Sequence, residues 1–96
     1  MLILITYDVN VSESGGGTRL RKVAKTCENY GIRVQNSVFE CNVDASQSEL
    51  LKASLLEIID EKKDSLRLYY LGNNYKKRIE HYGTKEKIDM KDTIII

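Results

Sequence analysis

Met1-Leu2-Ile3-Leu4-Ile5-Thr6-Tyr7-Asp8 begins as an unbroken apolar run and ends in an aromatic ring and a carboxylate. The run is far shorter than the roughly 20 residues a membrane helix needs, and its isoleucines favour extended backbone. It reads as a buried strand. Apolar side chains in succession need cover on both faces, which places this strand in the middle of a sheet rather than at its edge. Asp8 then emerges where a packed strand meets solvent. A carboxylate held by the packing behind it suits a metal ligand or a general base, and it also suits a plain strand stop.

Working outward from that strand, length limits what else the chain can build. Ninety-six residues, 42% of them hydrophobic and 30% charged, make one soluble domain with a single core, small enough to gain from association with a second copy. No apolar segment is long enough to span a membrane. The apolar N-terminus lacks the basic region and small-residue cleavage site of a signal peptide, so a cytoplasmic protein is expected. A formal net charge of +1 excludes attraction of nucleic acid by the overall field, so any such binding needs local clustering. Residues 18–33 do cluster, with Arg19, Arg21, Lys22, Lys25 and Arg33 against Glu28 alone, whereas residues 42–64 are mainly acidic. Cys27 and Cys41 are too far apart for a CxxC motif and fall at apolar-facing positions, as reduced buried thiols do.

After Asp8, residues 9–17 read as a mobile surface linker because of the triplet Gly15-Gly16-Gly17. The triplet fits neither the Walker form nor GxGxxG, so a phosphate-cradling role has little support. Thr18 is expected to cap a first helix, with Leu20, Val23, Ala24 and Cys27 on its inner face and Gly31 as its stop. Lys22 and Lys25 read as solvated. Arg19 and Arg21 follow directly on the loop leaving Asp8 and are expected to set guanidinium forks beside that carboxylate. Residues 32–43 alternate as one strand or as a hairpin turning at Asn36-Ser37. Phe39, the only phenylalanine, suits core packing, or alternatively stacking on a base. Ser46 and Glu49 have capping-box spacing at the start of a second helix, whose Leu51, Leu55, Ile58 and Ile59 form one face up to about Lys63. Residues 65–71 form the next strand, closed by Gly72-Asn73-Asn74. The division expected is a domain over residues 1–72 and a C-terminal tail over 73–96. That tail carries Lys76-Lys77-Arg78, a β-capable stretch over 78–84 that serves dimerisation, and an apolar end at Ile94-Ile95-Ile96. His81 reads as a tail residue with no visible partner.

The order strand, helix, two strands, helix, strand is the split βαβ arrangement of the ferredoxin-like fold, an α+β sandwich. This order favours the hairpin at Asn36-Ser37. It predicts a four-stranded antiparallel sheet with both helices on one face. A two-fold homodimer would cover the other face and use the tail as an added strand.

Three stretches together resemble a known family: Leu2-Ile3-Leu4-Ile5-Thr6-Tyr7-Asp8, Arg19-Leu20-Arg21-Lys22-Val23-Ala24-Lys25, and Arg33-Val34-Gln35-Asn36-Ser37-Val38-Phe39-Glu40. They look like the small CRISPR-associated endonucleases of the adaptation module, the dimeric partners of the CRISPR integrase. The resemblance covers essentially the whole chain, including Arg67-Leu68-Tyr69-Tyr70-Leu71-Gly72, and the glycine-rich segment 12–17 is its departure. It implies a ferredoxin-like homodimer with the tail strand added across the interface. It also implies hydrolysis of double-stranded DNA or single-stranded RNA with Mg²⁺, or Mn²⁺ in its place, during acquisition of new spacers in antiviral defence. By the same match Asp8 is the catalytic residue and metal ligand. Tyr7, Arg19, Arg21, Arg33 and Phe39 fall where the family has residues implicated in activity or nucleic-acid contact. Two symmetry-related Asp8 carboxylates would satisfy Mg²⁺, which takes only one or two carboxylates beside waters and phosphate oxygens. The other function the resemblance allows is a non-catalytic dimeric scaffold that holds DNA and bridges integrase subunits. A ferredoxin-like domain regulated by a small metabolite has no motif in its favour.

Overall fold

Leu2–Asp8 forms β1, with Ile3, Ile5 and Tyr7 buried on one face and Leu2, Leu4 and Thr6 half-buried on the other. The computed structural model describes residues 1–12, 14–71 and 78–84. Within them β1 is followed by α1 (Gly16–Glu28), β2 (Gly31–Gln35), β3 (Val38–Asn42), α2 (Ala45–Ile58), β4 (Ser65–Tyr70) and β5 (Arg78–Gly83). The sheet is antiparallel, in the order β2-β3-β1-β4-β5, so the opening run occupies the middle as expected. The fold is the ferredoxin-like α+β sandwich with a fifth strand added.

Alternation decides which face of each strand is covered. Ile3, Ile5, Phe39, Cys41, Leu66 and Leu68 meet Val23 and Cys27 of α1 and Leu51 and Leu55 of α2 in one core on the helix side. Fully burying each large aliphatic side chain is worth about 1.5–3 kcal/mol. This core therefore fixes β1 in place. Both cysteines are free thiols within it, as read from sequence; burial pushes Cys27 up to about 12 and Cys41 up to about 11. Among the described residues no helix is long and apolar enough to cross a membrane.

The register leaves Asp8 at an open corner. The β1–β3 ladder ends at Thr6↔Val38, whereas the β1–β4 ladder runs two residues further, to Asp8↔Ser65. The hairpin does turn at Asn36-Ser37, with a register shift between Arg33 and Gln35. β5 pairs with β4 of its own chain, from Ser65↔Gly83 to Tyr70↔Arg78. The expected turn at Gly72-Asn73-Asn74, the cations Lys76 and Lys77, and Ile94-Ile95-Ile96 lie outside the described residues.

Element ends differ from the sequence reading at four places. The glycine triplet is not a linker, because Gly16 and Gly17 are the first turn of α1, and Gly15 rather than Thr18 stands at its N-cap. A Cβ on Gly16 would lie 2.2 Å from the Asn10 carbonyl oxygen and 2.7 Å from the Val11 Cα. Only glycine lets the helix start seat on the backbone leaving β1. At the other end Asn29 caps α1 and Gly31 already belongs to β2. In α2 the capping box is formed by Asp44 and Gln47 rather than Ser46 and Glu49: Gln47 N donates to Asp44 Oδ1 at 2.7 Å and Asp44 N donates to Gln47 Oε1 at 3.0 Å. The helix ends at Ile58, short of Lys63, because the chain then turns around Asp64.

Candidate functional site

Asp8 lines a cavity of about 310 Å³ with Thr6, Tyr7, Ser65, Arg67 and His81. Thr6 pairs with Arg67, and Arg67 with His81, so these three form a row across β1, β4 and β5. Their parity is opposite to that of Ile5 and Leu68, which puts the row on the face away from the helices. Arg67 Nε donates to His81 Nδ1 at 3.3 Å, and Arg67 Nη1 donates to the Tyr69 hydroxyl at 3.4 Å. A guanidinium only donates, so Nδ1 presents its lone pair and the imidazole proton sits on Nε2. His81 is thus no partnerless tail residue. It stands in the cavity of the residue singled out first.

Arg19 goes elsewhere. Its Nε lies 2.8 Å from Asp64 Oδ2 and its Nη2 lies 3.2 Å from Asp64 Oδ1, a two-pronged ion pair rather than a fork beside Asp8. Asp64 is fully buried. It also accepts from the backbone N–H of Asn10 at 3.0 Å and of Asp60 at 2.9 Å. Burial works to raise the Asp64 carboxyl, but hydrogen bonds from Arg19, Asp60 and Asn10 outweigh it and hold the group below the usual carboxylate range. The Asp64 carbonyl in turn accepts from Thr84 N at 3.0 Å. Gly83, at φ 101°, makes that contact possible, since a Cβ there would lie 2.0 Å from the same oxygen.

The remaining predicted residues gather on the helix side. A second cavity of about 320 Å³ is lined by Tyr7, Leu20, Arg21, Ala24, Arg33, Asn36 and Ser37. The Tyr7 ring stacks on Phe39 at 6.2 Å between centroids, and the Arg33 guanidinium lies 5.1 Å from the centre of the Phe39 ring. Arg33 Nη1 also donates to the Asn36 carbonyl at 3.2 Å, and Arg33 faces Glu28 across an exposed 3.7 Å pair. Arg21 Nη2 donates to Thr18 Oγ1 at 3.4 Å. Burial, followed by the nearby Cys27, raises the Tyr7 hydroxyl despite Arg33. Phe39 is fully buried, so it supports Tyr7 and Arg33 and has no face left for a base.

Predicted residues therefore separate into three places. Asp8 faces the open side; Tyr7, Arg21 and Arg33 surround the helix-side cavity above Phe39; Arg19 is half-buried against Asp64. Sequence reading missed Arg67, Asp64 and Ser65. The signal for Arg67 was present, because Leu66, Leu68 and Tyr70 point inward by alternation and leave Arg67 outward beside β1. Among the described residues no group of three or more His, Cys, Asp or Glu side chains is placed to hold a metal ion. The oxygen chemistry of Asp8 suits a hard cation, with a single protein carboxylate per chain and the rest of the shell from water, phosphate or a second copy.

The fold and this corner define a small ferredoxin-like α+β protein with an exposed carboxylate at the end of its central strand and arginines on both sides of the sheet. The chain belongs to the family described as CRISPR associated protein Cas2, whose family model matches residues 1–79. It is 63% identical over 95 residues to the CRISPR-associated endonuclease Cas2 of Halalkalibacterium halodurans, covering 99% of each chain. It is 55% identical over 96 residues to the CRISPR-associated endoribonuclease Cas2 of Chlorobaculum tepidum, covering 100% of each. Among solved structures, Streptococcus pyogenes Cas2 at pH 6.5 matches with a TM-score of 0.70 and 55% identity, over 78% of this chain and 90% of that one.

Proposed function

We propose that this protein is a CRISPR-associated nuclease that hydrolyses phosphodiester bonds of double-stranded DNA or single-stranded RNA during spacer acquisition, with Asp8 as catalytic residue and metal ligand. The observation that carries this reading is the position of Asp8: exposed, at the end of a strand paired along both edges, in a cavity shared with an arginine and a histidine. Relatives named endonuclease and endoribonuclease, at 63% and 55% identity, support the class of activity.

Mg²⁺ is the expected cofactor, with Mn²⁺ in its place. When bound it would polarise a phosphoryl oxygen and lower the pKa of a coordinated water. The chain's own residues hold and orient. Asp8 offers its carboxylate from a rigid strand end, and cations in its cavity oppose the negative charge that grows on the phosphoryl oxygens. The open face supports a homodimer, since Leu2, Leu4 and Val38 are only half-buried there and Ile32 is 71% exposed. A two-fold pair that covers this face brings two Asp8 carboxylates toward one another, an arrangement that favours a cation between them.

The test is cleavage of duplex DNA and single-stranded RNA, with Mg²⁺ and with chelator, by wild type and Asp8→Ala, with the assembly state followed by sedimentation. Metal-dependent cutting that is lost in a dimeric Asp8→Ala supports the proposal. One observation favours a second reading, in which the dimer is a DNA-binding scaffold that bridges CRISPR integrase subunits: Arg21 and Arg33 line a cavity on the side of the sheet away from Asp8, where they could hold phosphates without chemistry. In that case both proteins bind DNA with a steep salt dependence and neither cuts.

A further inference from the structure

We propose that Arg67 is the residue that contacts the phosphodiester in the Asp8 cavity, and that His81 is the positioning residue that aims it. The inference rests on reading that cavity as a phosphodiester site, and it changes which arginine serves it.

Placement excludes the other candidates. Arg19 is committed to the buried Asp64 carboxylate. Arg21 and Arg33 line the cavity on the helix side of the sheet. Among the described residues, Arg67 is the only arginine that lines the same cavity as Asp8.

Its contacts point the same way. Arg67 is half-buried, yet both groups it donates to are neutral, an imidazole nitrogen and a phenol oxygen. It forms no ion pair with a carboxylate among the described residues. A guanidinium drawn partly out of water with no carboxylate in ion-pair contact loses hydration and gains little in return, whereas a phosphate in the cavity would offset that loss. Its Nε and one Nη1 proton are engaged, which leaves Nη2 to reach a ligand as the free prong of a fork. The backbone adds rigidity. Arg67 lies in mid-β4, paired with Thr6 on one side and His81 on the other, so its base moves no more than the sheet does. In phosphodiester cleavage negative charge builds on the non-bridging oxygens, and a fixed guanidinium beside the carboxylate meets it where it forms. His81 fixes the direction, because an Nδ1 lone pair accepts from Nε along one line only.

The experiment uses the full chain with Arg67→Gln, Arg67→Lys, His81→Phe and His81→Asn, each checked for folding and assembly by circular dichroism and sedimentation. Duplex DNA binding is measured against salt, and Mg²⁺-dependent cleavage is resolved into kcat and KM. Arg67→Gln should flatten the slope of log affinity against log salt by about 0.9 per contacted phosphate. It should also lower kcat by about 100-fold, with a smaller change in KM, as loss of a transition-state donor does. Arg67→Lys keeps the charge without the fork, so it should restore the salt slope but not kcat. His81→Phe should lower kcat and leave the slope in place, and His81→Asn, which keeps an acceptor near Nδ1, should recover much of the rate. Wild type that cuts no better than a dimeric, folded Arg67→Gln, with equal salt slopes, overturns the inference while the nuclease reading stands. Arg67→Gln that falls apart to monomers also overturns it, since the side chain then serves assembly. Wild type that binds but does not cut, with the slope still reduced in Arg67→Gln, removes the nuclease reading and leaves the phosphate contact.

Discussion

Asp8 and Asp64 stand within two residues of each other across the β1–β4 ladder, since Asp8 pairs with Ser65 and Asp64 directly precedes it. The two carboxylates live in opposite conditions. Asp64 is sealed, met by both prongs of Arg19 and by two backbone N–H groups, and held in its charged form. Asp8 is exposed beside a guanidinium that leans on neutral partners. What separates them is not residue type but exposure, since Asp64 is fully buried and Asp8 is open to solvent. A saturated carboxylate holds structure, and an accessible one can exchange ligands.

The comparison breaks most visibly at Asp64. Asp64→Ala takes the buried carboxylate from the half-buried Arg19 and from the amides of Asn10 and Asp60, and should destabilise the fold by about 3–5 kcal/mol in denaturant unfolding; a loss below about 1 kcal/mol would mean the pair is not a structural centre. The pH dependence carries the same sign. A carboxyl held below its unfolded value contributes stability that is complete above roughly pH 4 and is lost as pH falls through the lower folded value. Stability measured down that acid range should therefore fall in wild type and flatten in Asp64→Asn. Asp8→Ala should do the reverse, leaving stability within about 0.5 kcal/mol and reducing metal-dependent cleavage at least ~100-fold, equivalent to about 2.7 kcal/mol in the barrier. An Asp8→Ala protein that unfolds easily would erase the contrast.

Smaller changes sharpen it. Gly16→Ala forces a methyl group against the Asn10 carbonyl and should cost about 1–3 kcal/mol in stability, felt through the segment that links Asp8 to α1. Arg33→Ala removes an exposed pair with Glu28 and a contact over Phe39, worth less than about 1 kcal/mol by thermal unfolding. If Arg33→Ala weakens duplex binding more than Arg67→Gln does, the helix-side cavity and not the Asp8 corner is the main nucleic-acid contact.

Much of this was legible in the residues. The apolar run of β1, the alternation around Asn36-Ser37 and the periodic leucines of α2 each carry one period without competition, so element order and sheet topology followed. Boundaries failed where two signals overlapped. Asp44 with Gln47 and Ser46 with Glu49 both fit a capping box two residues apart, and the earlier frame is the one formed. Three glycines resist a helix by intrinsic propensity, yet Gly16, packed close on Asn10, and Gly17 form the first turn of one. Asp8 was visible as the residue where an apolar strand stops. Its surroundings were not, because Arg67 and His81 meet through a β4–β5 register that the intervening seven residues leave undetermined. Arg19 was drawn toward the nearer acid in sequence, whereas its partner lies 45 residues away.

Asp64 also links motions that sequence keeps apart. Its side chain accepts the amides of Asn10 and Asp60, and its carbonyl accepts the amide of Thr84. These belong to the loop after β1, the turn before β4 and the end of β5. In amide hydrogen exchange all three should report one opening event, with a common free energy and a common acceleration in Asp64→Asn. The corner that carries Asp8 would then loosen as a unit, so local unlocking at one buried acid governs how long the exposed one keeps its aim.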